Sequence, residues 1–437
     1  MELKGLGRDW ARGPHTSERR ASHRPMRFCM VTTFYPPYHF GGDAIFVESL
    51  SRALVAHGHQ VEVVHSEDAY RLRAPAPPVT TDNADGIVVH RLRNRFRSVA
   101  TTITQQASRP VFNRSALKRV LDRQFDVVNF HNVSLVGGLG SLPLSRAPVN
   151  LYTLHEHWLV CPTHIFWKNR RQPCDSRQCI RCCLRSRIPP QLWRYSGLPK
   201  HMLRSVDAFL SPSAYTAARH HEADFGRPIH VLPTFAPIDP VRPGTNVAAS
   251  GRPRFVFVGR ITQSKGVHLL IRLFTGLPQY DLDIVGDGDL LNELRRSYSA
   301  HPSIRFHGYR DHSEIAAYYR AATAMILPSL APEVFPLCVL EAFACGTPVI
   351  VHDAGGSREA VDRSGAGFVY RSDQELIDAI TLLASQPWSR DAMSLRARKA
   401  YDQFYNAKRY VAAYLELIDT IRLSSIAQPR ELDPALR

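Results

Sequence analysis

The residues best suited to chemistry are two carboxylates and two cations in the second half of the chain. Glu333 and Glu341 stand eight positions apart in Ala331-Pro332-Glu333-Val334-Phe335-Pro336-Leu337-Cys338-Val339-Leu340-Glu341. On one continuous helix they would share a face, but Pro336 forbids that helix. The residue before a proline is driven toward extended geometry, and proline itself suits a helix's first turn. Glu333 is therefore expected in a loop and Glu341 in the helix that follows. Carboxylates at two levels accept hydrogen bonds from hydroxyls on different parts of one ligand, such as a hexose and a ribose. A hydrolytic acid/base pair would need a fixed separation of roughly 5–9 Å, which nothing in the spacing imposes. Upstream, Val258-Gly259-Arg260-Ile261-Thr262-Gln263-Ser264-Lys265-Gly266 sets an Arg and a Lys just after an apolar strand and at the opening of a helix. Helix N-terminal amides favour anions, and two cations neutralise the charge that grows on a departing diphosphate. Ordinary solvated surface charge is the plainer alternative. Two glycine clusters, Phe40-Gly41-Gly42-Asp43 and Ile284-Val285-Gly286-Asp287-Gly288, would let backbone approach a phosphate or sugar. A simple strand-to-helix turn looks the same.

These residues need a scaffold, and the apolar periodicity supplies one. Arg27–Thr33 reads as a buried parallel strand, followed by a Pro/Gly loop and a helical pattern over Ala44–His57. Further strands are expected at Val61–His65, Ile87–Leu92, Val127–Phe130, Val149–Thr153 and Ala208–Ser211. A second series follows at Arg254–Val258, Leu282–Val285, Ile304–His307, Ala324–Leu327 and Pro348–Val351, alternating with helices. The expected fold class is α/β, with two Rossmann-like doubly wound domains facing a central cleft. The expected organisation is a disordered basic tail over 1–25 and an N-terminal domain over 26–235 carrying a Cys-rich insertion at about 158–193. A Pro/Gly-rich linker follows over 236–253, then a C-terminal domain over 254–389. The last long helical stretch, Arg390–Leu423, belongs to a final segment, 390–437, that returns toward the first domain. Met26 competes with Met1 as the start.

With 437 residues, 44% of them hydrophobic, the chain exceeds what one core accommodates. No run approaches the roughly 18 apolar residues of a membrane span, and the first residues lack the apolar stretch of a secretory signal, so the expected location is cytoplasmic. The net charge of +16 is lopsided, since 33 of the 55 Lys/Arg but only 18 of the 39 Asp/Glu precede Gly251. A basic first half attracts phosphate, whether on anionic lipid at the inner face of a membrane, a phosphorylated acceptor or nucleic acid. Compositional bias with no ligand behind it is the alternative. Nucleic acid is set aside because no readout element accompanies the charge.

Eight cysteines do not make a disulfide scaffold in a chain of this size. Five crowd into Cys161-x12-Cys174-x4-Cys179-x2-Cys182-Cys183. Cys161, Cys174, Cys179 and Cys182 are the candidate thiolates of one structural zinc, with His157 or His164 able to replace one. An iron–sulfur cluster and free reduced thiols are the other readings.

Several stretches together resemble the GT4-type retaining glycosyltransferases of the GT-B fold. They are Gly41-Gly42 through His57-Gly58-His59-Gln60-Val61, Gly259-Arg260 with Lys265-Gly266, Val285-Gly286-Asp287-Gly288, Leu327-Pro328-Ser329, and Glu333 to Glu341-Ala342-Phe343-Ala344-Cys345-Gly346-Thr347-Pro348-Val349-Ile350. The resemblance spans roughly Arg27 to Leu423. It implies that Arg260 and Lys265 hold the diphosphate of a nucleotide-sugar donor, that Glu341 takes the ribose hydroxyls and that Glu333 takes hydroxyls of the transferred sugar. Backbone amides near Phe335 and Leu337 assist, while Pro336, where many relatives have Gly, has no N–H to offer. Gly42 approaches from the first domain, and the Gly308-Tyr309 turn borders the base. His155, in Thr153-Leu154-His155-Glu156, matches the family's His-Asp-like position and stabilises positive charge at the anomeric carbon. Glu156 stands where Asp is commoner. The implied reaction uses no catalytic cofactor or metal. The leaving phosphate accepts the acceptor's proton on the face from which it departs, and the acceptor is a glycan or lipid-linked glycan. Other reactions on the same fold, and a catalytically silent carbohydrate- or lipid-binding relative, are the competing classes.

Overall fold

The structure is a computed structural model that describes residues 24–72, 74, 86–238 and 251–427. The expected basic tail lies outside the described residues apart from its last two positions, as do 239–250 of the expected linker. Two compact units result. One comprises Met1–His164, Gln178–Pro233 and Tyr410–Arg437, the other Ile165–Arg177 and Thr234–Arg409.

The first unit is built on a seven-stranded, wholly parallel sheet of β1 (Arg27–Val31), β2 (Gln60–Ser66), β3 (Ile87–Leu92), β4 (Val127–Phe130), β5 (Val149–Thr153), β8 (Ala208–Ser211) and β9 (Ile229–Val231), in the order 3-2-1-4-5-8-9. Strands such as Val127–Phe130 are apolar almost throughout because helices cover both faces of a parallel sheet. Chain direction across the sheet reverses between β1 and β4, where Phe28 pairs with both Val61 and Val127. A crevice opens at the carboxyl ends of such strands. In the chain between β5 and β8 falls the Cys-rich insertion, whose helix Cys179–Arg185 belongs to this unit and whose short antiparallel pair β6 (Trp167–Lys168) and β7 (Gln172–Pro173) belongs to the second.

The second unit has a six-stranded parallel sheet of β10 (Arg254–Val258), β11 (Asp281–Val285), β12 (Ile304–Gly308), β13 (Ala324–Leu327), β14 (Val349–His352) and β15 (Gly367–Tyr370), in the order 12-11-10-13-14-15. Its pleat separates two cores. Val256, Val258, Met325 and Leu327 face one cluster with the helices Leu337–Ala344 and Pro387–Phe404. Phe255, Phe257, Ala324 and Ile326 face another with the helix Val267–Thr275. Here the reversal falls between β10 and β13, so Gly259-Arg260 and Pro328-Ser329 leave adjacent strands at the same edge.

The single terminal helix expected over Arg390–Leu423 is two helices, Pro387–Phe404 and Ala407–Ala427. Asn406 makes the break. Its side-chain amide donates to the Asp402 carbonyl at 2.7 Å, and its Oδ1 accepts the Arg409 amide at 3.0 Å, capping both ends. The second helix belongs to the first unit: Asn129 on β4 donates to the Tyr414 hydroxyl at 3.0 Å, and the Tyr414 ring lies 6.2 Å from Phe28. No helix among the described residues is long and apolar enough to cross a membrane.

Candidate functional site

In the second unit, the loop after β10 and the loop after β13 meet. Gly266, at φ +70°, lies so close to this second loop that a Cβ would sit 2.0 Å from the Pro328 carbonyl oxygen, while the Leu330 and Ala331 amides both donate to the Ser264 carbonyl. This clamp brings Lys265 to Glu333, and Lys265 Nζ donates to Glu333 Oε1 at 2.6 Å. The Ser329 hydroxyl, buried below, donates to the same oxygen. Glu333 is also pinned through its backbone: its amide donates to the Ala354 carbonyl, and its own carbonyl accepts from the Gly356 amide at 2.7 Å. Burial is the strongest influence on the Glu333 carboxyl and opposes ionisation. The Lys265 charge and hydrogen bond, the Ser329 hydroxyl and the Arg260 charge together outweigh it and hold the group below the ordinary glutamate range. Arg260 is exposed and makes no ion pair among the described residues, so its guanidinium is available to an anion.

Pro336 caps the helix Leu337–Ala344 in extended geometry without any side-chain cap, and its carbonyl accepts the Val339 amide at 3.2 Å, so the Leu337 and Cys338 amides are those left to face a ligand. Phe335 is buried against Tyr405, and Leu337 is half-buried at the first helical position. Glu341 lies one turn further in and is buried, with Oε2 accepting from the Tyr319 hydroxyl at 2.8 Å. Cys338 shares this helix. Burial raises its thiol to about 12, and its surroundings include the charges of Lys265, Glu341 and Glu333. Lys265, Glu333 and Glu341 thus all lie near enough to Cys338 on this helix for their charges to act on it, and the Arg260 charge acts on Glu333. Tyr309 is exposed at its turn after β12.

In the first unit, Gly42 opens the helix Gly42–Ala56 and is exposed, next to Asp43. His155 sits just past the end of β5, half-buried, with Phe46 packed on its ring at 5.2 Å. Burial lowers the imidazole to about 4 despite the opposing Asp43 charge, so it is neutral at pH 7. Its Nε2 lies 2.9 Å from Nδ1 of His131, and Asn132 donates to Asp43 at 3.3 Å. His131, Asn132 and Tyr319 were not singled out from the sequence, and Asp43 and Ser329 were named only within longer motifs, with no role of their own. The available signal was position: His131-Asn132 directly follows a strand in a doubly wound sheet, where such sheets bind ligands.

The zinc expected on Cys161, Cys174, Cys179 and Cys182 finds no support. Among the described residues no group of three or more His, Cys, Asp or Glu side chains is arranged to hold a metal ion. Cys161 Sγ is engaged with the Thr163 hydroxyl, Cys174 Sγ donates to the Ser176 carbonyl, and Cys182 is buried on its helix. None of the eight cysteines is joined in a disulfide.

Two family models match the chain in succession, Glycosyltransferase Family 4 over residues 40–239 and Glycosyl transferases group 1 over residues 243–400. A glycogen synthase of Mycobacterium tuberculosis is 27% identical over 401 residues, covering 86% of this chain and 90% of its own. Among solved structures, the sucrose-phosphate synthase of Thermosynechococcus elongatus superposes with a TM-score of 0.70 at 20% identity, covering 92% of this chain and all of its own. The Anabaena HepE protein in complex with UDP-glucose does so with a TM-score of 0.62 at 15% identity, covering 90% of this chain and all of its own. Both neighbours share the fold. With one model spanning most of each half, and two Rossmann-like units of the GT-B type beneath them, the chain belongs to the GT4-type, group 1 glycosyltransferases and is a transferase enzyme.

Proposed function

We propose that the protein is a retaining glycosyltransferase that moves a hexose-type sugar from a nucleoside-diphosphate sugar to a glycan or lipid-linked acceptor in cell-surface polysaccharide synthesis. The observation that carries this reading is the Lys265–Glu333–Ser329 cluster beside the available Arg260 guanidinium. Arg260 and Lys265 serve the diphosphate, Glu333 the sugar hydroxyls and Glu341 the ribose; His155 of the first unit serves the anomeric centre. As the anomeric C–O bond to phosphate breaks, the acceptor oxygen bonds to the same face and its proton passes to the leaving phosphate oxygen. The enzyme contributes positioning and charge stabilisation. The complex of the Anabaena neighbour with UDP-glucose supports a donor of this class.

The acceptor's setting is proposed to be the cytoplasmic face of an anionic membrane. Phe96, Val99, Ile103, Val111 and Phe112 are exposed on the first unit, amid Arg95, Arg97, Arg109 and Arg114, and no acidic residue occurs between Asn94 and Leu121. Exposed apolar side chains rimmed by unopposed arginines suit a lipid surface, each cation contributing about 1 kcal/mol near anionic headgroups.

Thermal unfolding with UDP-, GDP- and ADP-sugars tests the donor assignment. A ligand at about 100 times its Kd adds roughly 2.7 kcal/mol to the folded state, and the matching donor is expected to raise Tm. An absence of any shift overturns the assignment. Anomeric configuration of the product, read by NMR, tests retention.

A further inference from the structure

His131 and His155 end neighbouring strands, β4 and β5, and share one hydrogen bond at the carboxyl edge of the first unit's sheet. Their rings lie nearly in one plane, edge to edge, with centroids 5.1 Å apart and an interplanar angle of 18°. His131 Nδ1 is 2.9 Å from His155 Nε2. Burial depresses both imidazoles, so both are neutral at pH 7. A neutral pair can place its protons in two ways. If His155 Nε2 donates, His131 must carry its own proton on Nε2, and that atom is buried with no partner. An orphaned buried N–H is the rarer and costlier defect. If His131 Nδ1 donates instead, only a lone pair on His131 Nε2 goes unmatched. His155 then accepts at Nε2 and carries its proton on Nδ1. Asp43, the carboxylate whose charge acts on His155, is itself held by Asn132 and favours a remaining nitrogen that is a donor.

We propose that His131 is a positioning residue that fixes His155 in the Nδ1–H tautomer. His155 then meets its ligand as a neutral hydrogen-bond donor through Nδ1, with Nε2 occupied and no free lone pair to act as a base. This rests on the reading that His155 serves the transferred sugar. His131 acts only through His155, whose ring plane is further set by Phe46.

The test is two-bond 15N–1H NMR on the full chain labelled at histidine, with the His155 signals assigned by difference against His155→Gln. The wild type is expected to show a protonated Nδ1 and an unprotonated Nε2 at His155; a protonated Nε2 overturns the proposal. His131→Phe keeps an aromatic ring of similar width but removes the donor, and is expected to shift His155 toward the Nε2–H form. His131→Asn keeps a donor near the Nδ1 position and is expected to retain the wild-type tautomer. In kinetics, His131→Phe should lose about ten-fold in kcat, the size of one hydrogen bond's net contribution, with His131→Asn within a few-fold of wild type. A His131→Phe variant that keeps both tautomer and kcat refutes the positioning role. Failure of every nucleotide-sugar to react would instead count against the transferase reading, since the tautomer is read without substrate.

Discussion

Removing the Lys265 ammonium should expose how the second unit keeps Glu333 ionised. In Lys265→Met the carboxylate keeps the Ser329 hydroxyl and the more distant Arg260 charge but loses its direct partner. Deleting one member of a fully buried pair costs about 3–5 kcal/mol, and deleting one of an exposed pair about 0–1 kcal/mol. Here the side chains are 22% and 14% exposed, so the pair sits nearer the buried limit, and with Ser329 still bonded about 2 kcal/mol is expected near neutral pH. The pH dependence is the sharper part. In the wild type the Glu333 pKa is depressed, so its ionised form stabilises the fold above the ordinary glutamate range, and that contribution disappears as pH falls through the depressed value. In the variant, burial meets less opposition and the carboxyl prefers to be neutral. The stability difference between the two proteins should therefore be largest above about pH 6 and shrink as pH falls through the glutamate range. Urea unfolding at pH 8 and pH 4.5, followed by ellipticity, measures it. With a slope of about 2 kcal/mol per molar, the expected shift at pH 8 is about 1 M in the midpoint of the second unit's transition. A difference independent of pH would refute the electrostatic account and leave only lost packing of the lysine stem.

Arg260→Ala should leave stability within about 0.5 kcal/mol, because the side chain is exposed and unpaired among the described residues, yet lower kcat about 10²–10³-fold as transition-state charge on the diphosphate goes unneutralised; unchanged turnover of the matching donor would exclude it from the site. Gly286→Ala places a Cβ 1.9 Å from the Gly259 carbonyl oxygen at a φ of +139°, and soluble, folded protein with wild-type ellipticity would contradict that crowding. Tyr319→Phe deprives the buried Glu341 carboxylate of a hydroxyl donor at 2.8 Å, with an expected loss of about 1–3 kcal/mol by urea unfolding and weaker nucleotide binding by calorimetry; an unchanged Kd would separate Glu341 from the ribose.

The α/β class and the charged motif of the second unit were legible in the chain because their determinants are local. An apolar run announces a buried parallel strand, and a proline inside Glu333–Glu341 announces that the two carboxylates belong to a loop and a helix. A cation just beyond a strand stands where such sheets bind ligands. What local patterning does not carry is strand order, and with it every pairing across long separations. Lys265 and Glu333 are 68 positions apart, and they meet only because β10 and β13 are neighbours at the reversal of the second sheet. The His131–His155 pair depends likewise on β4 lying beside β5. The cysteine spacing suggested a metal centre from sequence distance alone, whereas hydrogen bonds to Thr163 and Ser176 engage Cys161 and Cys174 and burial on one helix withdraws Cys182. The break at Asn406 was hidden because both flanking segments are helical by composition, and the cap becomes visible only in its hydrogen bonds. Short-range propensity thus determined which elements exist and which residues they carry. Only the tertiary structure decided which side chains share a charge, a proton or a turn, since those energies depend on distances through space.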